Sequence, residues 1–471
     1  MKTPCSFLFR GALLAAAAAC SATFLTGSAH AADYVWTNYV SDIPGAALWT
    51  DYDLVNPWGI VPGPAGNIWT CDNGTGLLTR YDHKDGEPLN TGTGGPGVYP
   101  AIPITSSSAN VAINGTNAIS SPTGIRLNDL AVSTTGTGHG FVDPNTGTEA
   151  WLLIASKDGA VSTYSPTQTG TALSFTGTAA IVIDNSQKSG SNLTGAVYTG
   201  LALTATGTEV APTTGANAGT ETRHLYVANF HTGLVEVYNK SFTLVTKFSD
   251  PQITGTGSSP VLPTAPAAAA SGTAWAPYNI KAIAIPGQHH NVNRYIFVTF
   301  AAQNAAKNDV VTGPGAGFID VFDTAGTFLL RFASGGDLNT PWGIAYARKA
   351  FGKAEDESVS PPREVSVKNA LLVGNYGDGT IHAYALSSLG TDIESQTTEG
   401  SIGVLEAITG SDLQFDGLRG LHFGRPETAK QIAADPDDLN EDGGHLFFSA
   451  EFTEGSGGLG GVIEPHGGPG L

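Results

Sequence analysis

The sequence predicts an all-β chain folded as a six-bladed β-propeller of four-stranded blades, and three observations predict it. One short phrase recurs six times along 471 residues. An apolar strand, a polar turn and a second apolar strand follow each copy. The composition, with 61 Gly, 27 Pro, one Met and 13% charged residues, suits many short strands joined by tight turns.

The recurring phrase reads Asn56-Pro57-Trp58-Gly59-Ile60, Ser121-Pro122-Thr123-Gly124-Ile125, Tyr198-Thr199-Gly200-Leu201, Ala276-Pro277-Tyr278-Asn279-Ile280, Thr340-Pro341-Trp342-Gly343-Ile344 and Asp416-Gly417-Leu418-Arg419-Gly420-Leu421. Recurrence on this scale marks a repeat architecture. The intervals are long for a propeller blade, and the excess has the composition of loops. The hairpin that follows is clearest in the runs from Leu225 to Tyr238 and from Leu371 to Tyr384. Val235-Glu236-Val237-Tyr238 alternates with the period of a half-buried strand, and the Thr-Gly and Asp-Gly pairs are hairpin signals. A third phrase, Phe242 to Phe248 and Gly326 to Phe332, supplies an outer strand. Four strands repeated radially make a propeller; a β-sandwich of similar composition would not produce a sixfold recurrence.

Closure is also legible. No fourth strand follows the last hairpin, whereas Tyr34-Val35-Trp36-Thr37-Asn38-Tyr39-Val40 precedes the first inner strand unassigned. This segment is expected to complete the last blade and remove an open sheet edge. The insertions at 204–222, 258–273 and 353–368 lack periodicity and read as surface loops.

The chain divides into a signal peptide over residues 1–31 and one propeller domain over 32–471. Lys2 and Arg10 open the leader, residues 11–22 are an apolar run too short for a usual membrane span, and Ala29-His30-Ala31 fits a cleavage site. The rival reading makes Cys20 a lipoprotein cysteine. The expected product is secreted or periplasmic, monomeric, and without a transmembrane segment. Cys71 is the one cysteine left after the leader, so packing and closure must supply stability. The formal net charge of −19 argues against nucleic-acid partners and suits a solvated acidic surface or cationic partners.

Asn56-Pro57-Trp58-Gly59-Ile60, Asp72-Asn73-Gly74-Thr75-Gly76, the run from Gly313 to Phe322 and the run from Gly374 to Ile381 resemble a family of uncharacterised exported bacterial β-propeller proteins. The resemblance covers nearly the whole chain after the leader. Some relatives carry a sorting tail ending in a membrane helix, which this sequence lacks. It also has extra loops at 204–222 and 353–368. More distant similarity runs to NHL-type and lactonase-like six-bladed propellers. The resemblance implies a fold and leaves the activity open.

A propeller binds ligands where hairpin turns and inner strands converge on one channel mouth. Candidates there are Asn56, Asp72, Asn73, Lys157, Asn229, His231, Asn279, Gln303, Asn375, Asp378 and Glu451. Such a set can hold Ca²⁺ or another divalent cation, or sugar hydroxyls. In lactonase-like propellers a comparable acid and amide set holds a metal that activates water. The same residue types are also what tight turns require. Trp58 and Trp342 can stack on a planar ligand or pack between blades. His289 and His290 read as a solvated loop, and His382 as structural.

Asp438, Asn440 and Asp442 open a calcium-loop pattern, but Ser449 stands where its bidentate Glu belongs. The Gly92 to Gly97 stretch contains Pro and opens no helix, so it is no dinucleotide fingerprint. No nucleophile elbow, zinc helix, paired-cysteine motif or Walker loop is present. Asp72 beside Cys71 would raise the thiol's pKa. The expected function is binding of a small molecule, glycan or protein, with a metal-dependent hydrolase or lyase as the alternative.

Overall fold

The computed structural model describes residues 34–466 apart from 64–66, 90–100, 109, 111–117, 129–139, 170–171, 187, 190–191, 194, 206–222, 270–273, 287–291, 357, 387–400, 408, 410, 425–443 and 453–456. The leader, His289, His290, the 206–222 insertion and the Asp438, Asn440, Asp442 pattern lie outside the described residues.

Six antiparallel sheets follow one another along the chain as the blades of a six-bladed propeller. Their inner strands are Pro57–Gly63, Pro122–Leu127, Tyr198–Ala205, Trp275–Pro286, Pro341–Ala347 and Leu421–Phe423, each carrying or directly following one copy of the recurring phrase. Blades 1 to 3 have four strands each, as expected. Blade 4 adds the short strand Val310–Val311. Blade 5 has six, because the insertion read as a bare loop at 353–368 folds as the hairpin Lys353–Asp356 and Arg363–Ser366. That hairpin joins the sheet through Glu355, which pairs with Val404. The insertion has no turn dipeptide of the usual hairpin kind, so sequence offered no signal for it.

Blade 6 closes the ring. Tyr34–Ser41 runs antiparallel to Leu459–Pro465, with Tyr34 opposite Pro465 and Ser41 opposite Leu459. The segment from Tyr34 to Val40 therefore supplies the outer strand that the last hairpin lacks. Trp49–Thr50 then caps its free edge. Ser449 Oγ also donates to the Trp58 carbonyl at 2.6 Å, fastening blade 6 to blade 1 at the centre.

Each sheet lies between two others, so its strands are apolar on both faces. All seven residues of Pro57–Gly63 and all six of Ala370–Asn375 are buried. The core is accordingly divided by interface. Tyr198, Leu153, Leu225 and Val161 fill the space between blades 2 and 3. Tyr226, Phe248, Phe300 and Phe318 fill that between blades 3 and 4, and Phe297, Phe332 and Tyr384 that between 4 and 5. Tyr34, Phe351, Phe415 and Phe448 pack between 5 and 6, and Ile60, Ile68, Phe447 and Val462 between 6 and 1. At about 1.5–3 kcal/mol for each large apolar side chain fully buried, these interfaces do the work that disulfides do in smaller exported domains.

Candidate functional site

The recurring phrase places the same two positions at the axis in every blade. The residue before the glycine gives Trp58, Thr123, Thr199, Tyr278, Trp342 and Arg419, all essentially buried. The glycine position gives Gly59, Gly124, Gly200, Asn279, Gly343 and Gly420. Neighbouring inner strands approach too closely there for ordinary side chains. A Cβ on Gly59 would lie 2.8 Å from both the Thr123 carbonyl oxygen and the Ile125 amide nitrogen.

Several polar groups at the axis are bonded from blade to blade. Cys71 Sγ donates to the Thr123 carbonyl at 3.0 Å, and Thr123 Oγ1 to the Tyr198 carbonyl at 2.9 Å. Thr199 Oγ1 reaches the Pro277 carbonyl at 3.4 Å, and Asn279 Nδ2 the Trp342 carbonyl at 2.6 Å. Burial, chiefly, with Asp72 adding to it, pushes the Cys71 thiol up, which keeps it a donor. Sequence alone suggested Asp72 as the cause; complete burial is the larger one.

The three aromatic members of the ring shut the mouth where the inner strands begin. Trp58 meets Tyr278 and Trp342 edge to face, each at 6.0 Å between ring centroids. Phe230 leans on Tyr278 at 5.6 Å. Trp342 Nε1 donates to the Thr199 carbonyl at 3.0 Å. Trp58 and Trp342 thus pack against each other at the axis.

Arg419 completes this floor. Its guanidinium lies 3.9 Å from the Trp58 ring centroid and 4.2 Å from that of Tyr376. It pairs with Glu451, both side chains being buried, and also donates to Asn56 Oδ1 at 2.9 Å. Asn56 Oδ1 accepts from Trp58 Nε1 as well, and Asn56 sits at φ 50°, a left-handed backbone that asparagine tolerates. Burial disfavours the Arg419 charge, yet Tyr278, Glu451 and Tyr376 together hold its pKa above the ordinary value. Burial drives the Tyr278 hydroxyl well upward, with Arg419 opposing. Arg419 was not among the sequence candidates. Its signal was available: read in register, it occupies the position of Trp58 and Trp342.

The other candidates divide. Asn56, Trp58, Lys157, Asn279, Trp342 and Glu451 come together around the axis. Lys157 Nζ stands 5.5 Å from the Trp58 ring centroid and 3.1 Å from Asp309 Oδ2, a rim pair joining blade 2 to blade 4. His231 Nδ1 lies 3.2 Å from the Lys307 carbonyl, farther out on the rim. Gln303 donates to the Phe230 carbonyl.

The remaining residues are engaged within or between blades. Asp72 is wholly buried and accepts from Thr70 and Thr79 at 3.0 and 2.8 Å. Burial, foremost, holds its carboxyl well above the usual range. Asn73 Nδ2 donates to the Pro122 carbonyl at 2.9 Å. Asn229 Oδ1 accepts the Val197 and Thr232 amides, and its Nδ2 donates to Glu236. Asn375 accepts the Asn339 amide, and Asp378 accepts the Thr380 amide and hydroxyl. The acid and amide oxygens expected to face a cation are thus spent on turns and blade contacts. Among the described residues no group of three or more His, Cys, Asp or Glu side chains is placed to hold a metal ion.

No family model matches this chain. It is similar to two uncharacterized proteins of Acanthamoeba polyphaga mimivirus. One is 28% identical over 430 residues, covering 90% of this chain and 79% of the relative. The other is 27% identical over 372 residues, covering 79% and 74%. These relatives are viral, so the bacterial origin implied by the resemblance has no counterpart among them. Among solved structures, virginiamycin B lyase from Staphylococcus aureus superposes with TM-score 0.38 at 13% identity, over 92% of this chain and 98% of that one. The PQQ-bound aldose sugar dehydrogenase from Streptomyces coelicolor gives 0.35 at 12%, over 92% and 99%. Superpositions this loose carry nothing about activity.

Proposed function

We propose that the chain is a binding propeller that takes a small polar molecule or glycan at the mouth where its inner strands begin. The observation that supports this reading is the pairing of Arg419 with Glu451 beneath Trp58 and Tyr376. The two groups best suited to charge chemistry neutralise each other in a rigid floor, while Tyr376, Lys157, Asp309 and His231 remain on the rim. An aromatic floor with a polar rim suits a ligand that offers a flat face and hydroxyl groups. Metal-assisted hydrolysis has less support, because the described residues offer no donor set for the ion.

Calorimetric titration with a panel of neutral oligosaccharides and small polyols tests the reading. A saturable heat is expected for at least one of them, abolished by Tyr376→Ala and weakened by Lys157→Ala. Turnover of lactones, esters or glycans by purified protein, with or without divalent cations, would replace binding by catalysis.

We also propose that the protein works outside the cytoplasm. The support is the charged start, apolar run and small-residue site within residues 1–31. Among the described residues no helix is long and apolar enough to cross a membrane. N-terminal sequencing of protein recovered from an expressing culture tests the export; an intact Met1 on the recovered chain contradicts it.

A further inference from the structure

Two of the rim groups form a clasp across the mouth. Lys157 lies in the turn between Leu152–Ser156 and Ala160–Tyr164 of blade 2. Asp309 lies in the turn between Val292–Gln303 and Val310–Val311 of blade 4. Their ion pair, 3.1 Å from Nζ to Oδ2, therefore reaches past blade 3. Backbone bonds anchor both ends: the Lys157 amide donates to the Ser121 carbonyl at 2.8 Å, and the Asn304 amide to the Asp309 carbonyl at 2.9 Å. A lysine at a hairpin turn can extend its head into water. This one bends inward instead, leaving its side chain 22% exposed against 55% for Asp309. Its ammonium stands over the Trp58 ring of blade 1, 5.5 Å from the centroid.

Aromatic rings attract cations through their electron-rich faces. The floor of the mouth holds two of them on Trp58, and they differ in how firmly they are held. Arg419, 3.9 Å from the ring centroid, is buried and neutralised by Glu451. Lys157 is held by a partly exposed ion pair, a contact weak enough for a ligand to displace. Burial, foremost, raises the pKa of the Tyr278 and Tyr376 hydroxyls, and the Asp309 charge adds to it, so that charge is felt at the floor. We infer that Lys157 is the built-in occupant of a site for a primary ammonium group, and that the mouth selects amino sugars. The ligand's ammonium takes the place of Lys157 Nζ between Asp309 and Trp58, and Lys157 swings out into water. The exchange leaves Asp309 paired, while the sugar ring gains the aromatic floor. The inference rests on the glycan-binding reading above and adds the charge of the ligand to it. The formal net charge of −19 favours the approach of such a cation.

Calorimetry on the full chain, below the pKa of the sugar amine, compares the glucosamine disaccharide with its N-acetylated counterpart. Wild type is expected to bind the amine form about tenfold more tightly, with the gap narrowing as salt is raised. Lys157→Ala is expected to tighten the amine form about fivefold by removing the internal competitor, and to weaken the N-acetylated form. Asp309→Asn is expected to loosen the amine form about tenfold and to leave the N-acetylated form within about twofold. Three results overturn the inference while leaving the binding reading in place: equal affinity of wild type for the two forms, loss of affinity for the amine form in Lys157→Ala, or wild-type affinity for it in Asp309→Asn. No heat with either disaccharide also overturns it, and silence across the whole neutral panel overturns the binding reading as well.

Discussion

Asn279 donates its side-chain Nδ2 to the backbone carbonyl of Trp342 at 2.6 Å, joining blades 4 and 5 at the axis. Asn279 stands where the other five repeats have glycine, and its Oδ1 fills space that a Cβ on Gly200 would occupy, 2.3 Å away. Asn279→Ala strands a buried carbonyl and is expected to cost about 1–3 kcal/mol. Gly200→Ala should also destabilise, through the clash with Asn279. A double-mutant cycle by chemical denaturation is expected to give a pair less damaging than the sum, with a coupling of about 0.5–3 kcal/mol. Strict additivity would show that the two positions do not compete for one space.

Arg419 and Glu451 form an ion pair whose side chains are 4% and 2% exposed. Arg419→Met leaves the Glu451 carboxylate buried beside Trp58 and is expected to cost about 3–5 kcal/mol. Arg419→Met with Glu451→Met removes both charges and should recover most of that loss. Urea denaturation of the two variants checks this. If the double variant is no more stable than the single one, the Trp58 and Tyr376 stacking on the guanidinium carries the stability instead.

Asp51 gives the fold a pH dependence. Its carboxyl accepts from the Tyr81 hydroxyl at 2.9 Å, and burial, foremost, pushes its pKa up to about 6. A carboxyl whose pKa is raised on folding favours the native state while protonated. Its contribution is therefore greatest below about pH 4, declines as pH rises towards 6, and is absent above. The loss is about 2–3 kcal/mol, by the usual 1.4 kcal/mol per pKa unit. Asp51→Asn should flatten this part of the profile, gaining on wild type as pH rises from 4 to 7. Tm measured across that range checks it; a constant offset between the two proteins contradicts the assignment.

Tyr34–Ser41 covers the edge of Leu459–Pro465. A chain beginning at Asp42 would expose that edge, a template for pairing with another copy. Lower Tm and self-association in size-exclusion chromatography are expected. An unchanged elution volume with unchanged Tm would mean that closure rests on Ser449 and the apolar contacts of blade 6 alone.

Much of this was legible in sequence because it is local. The number of blades, the phase of each inner strand and the role of Tyr34 to Val40 follow from Pro-Trp-Gly-type phrases, alternating strands and turn dipeptides. The hairpin at 353–366 escaped because its pairing with Val404 is made across an insertion with no periodic signal.

The candidate site was legible only in outline. Composition and repeat position marked Asp72, Asn229 and Asn375 as polar turn residues, but nothing local says whether such oxygens face a ligand or bind a neighbouring amide. That choice depends on partners brought near by the assembled blades, as when Asn73 meets Pro122 or Arg419 meets Asn56. The sequence by itself determined a closed ring of six sheets, because strand period and turn chemistry act over a few residues. Only the tertiary structure decided that three aromatics and an arginine seal one end of the channel while Lys157 of blade 2 meets Asp309 of blade 4 at its rim. Residues far apart in the chain share an environment only after the ring has closed.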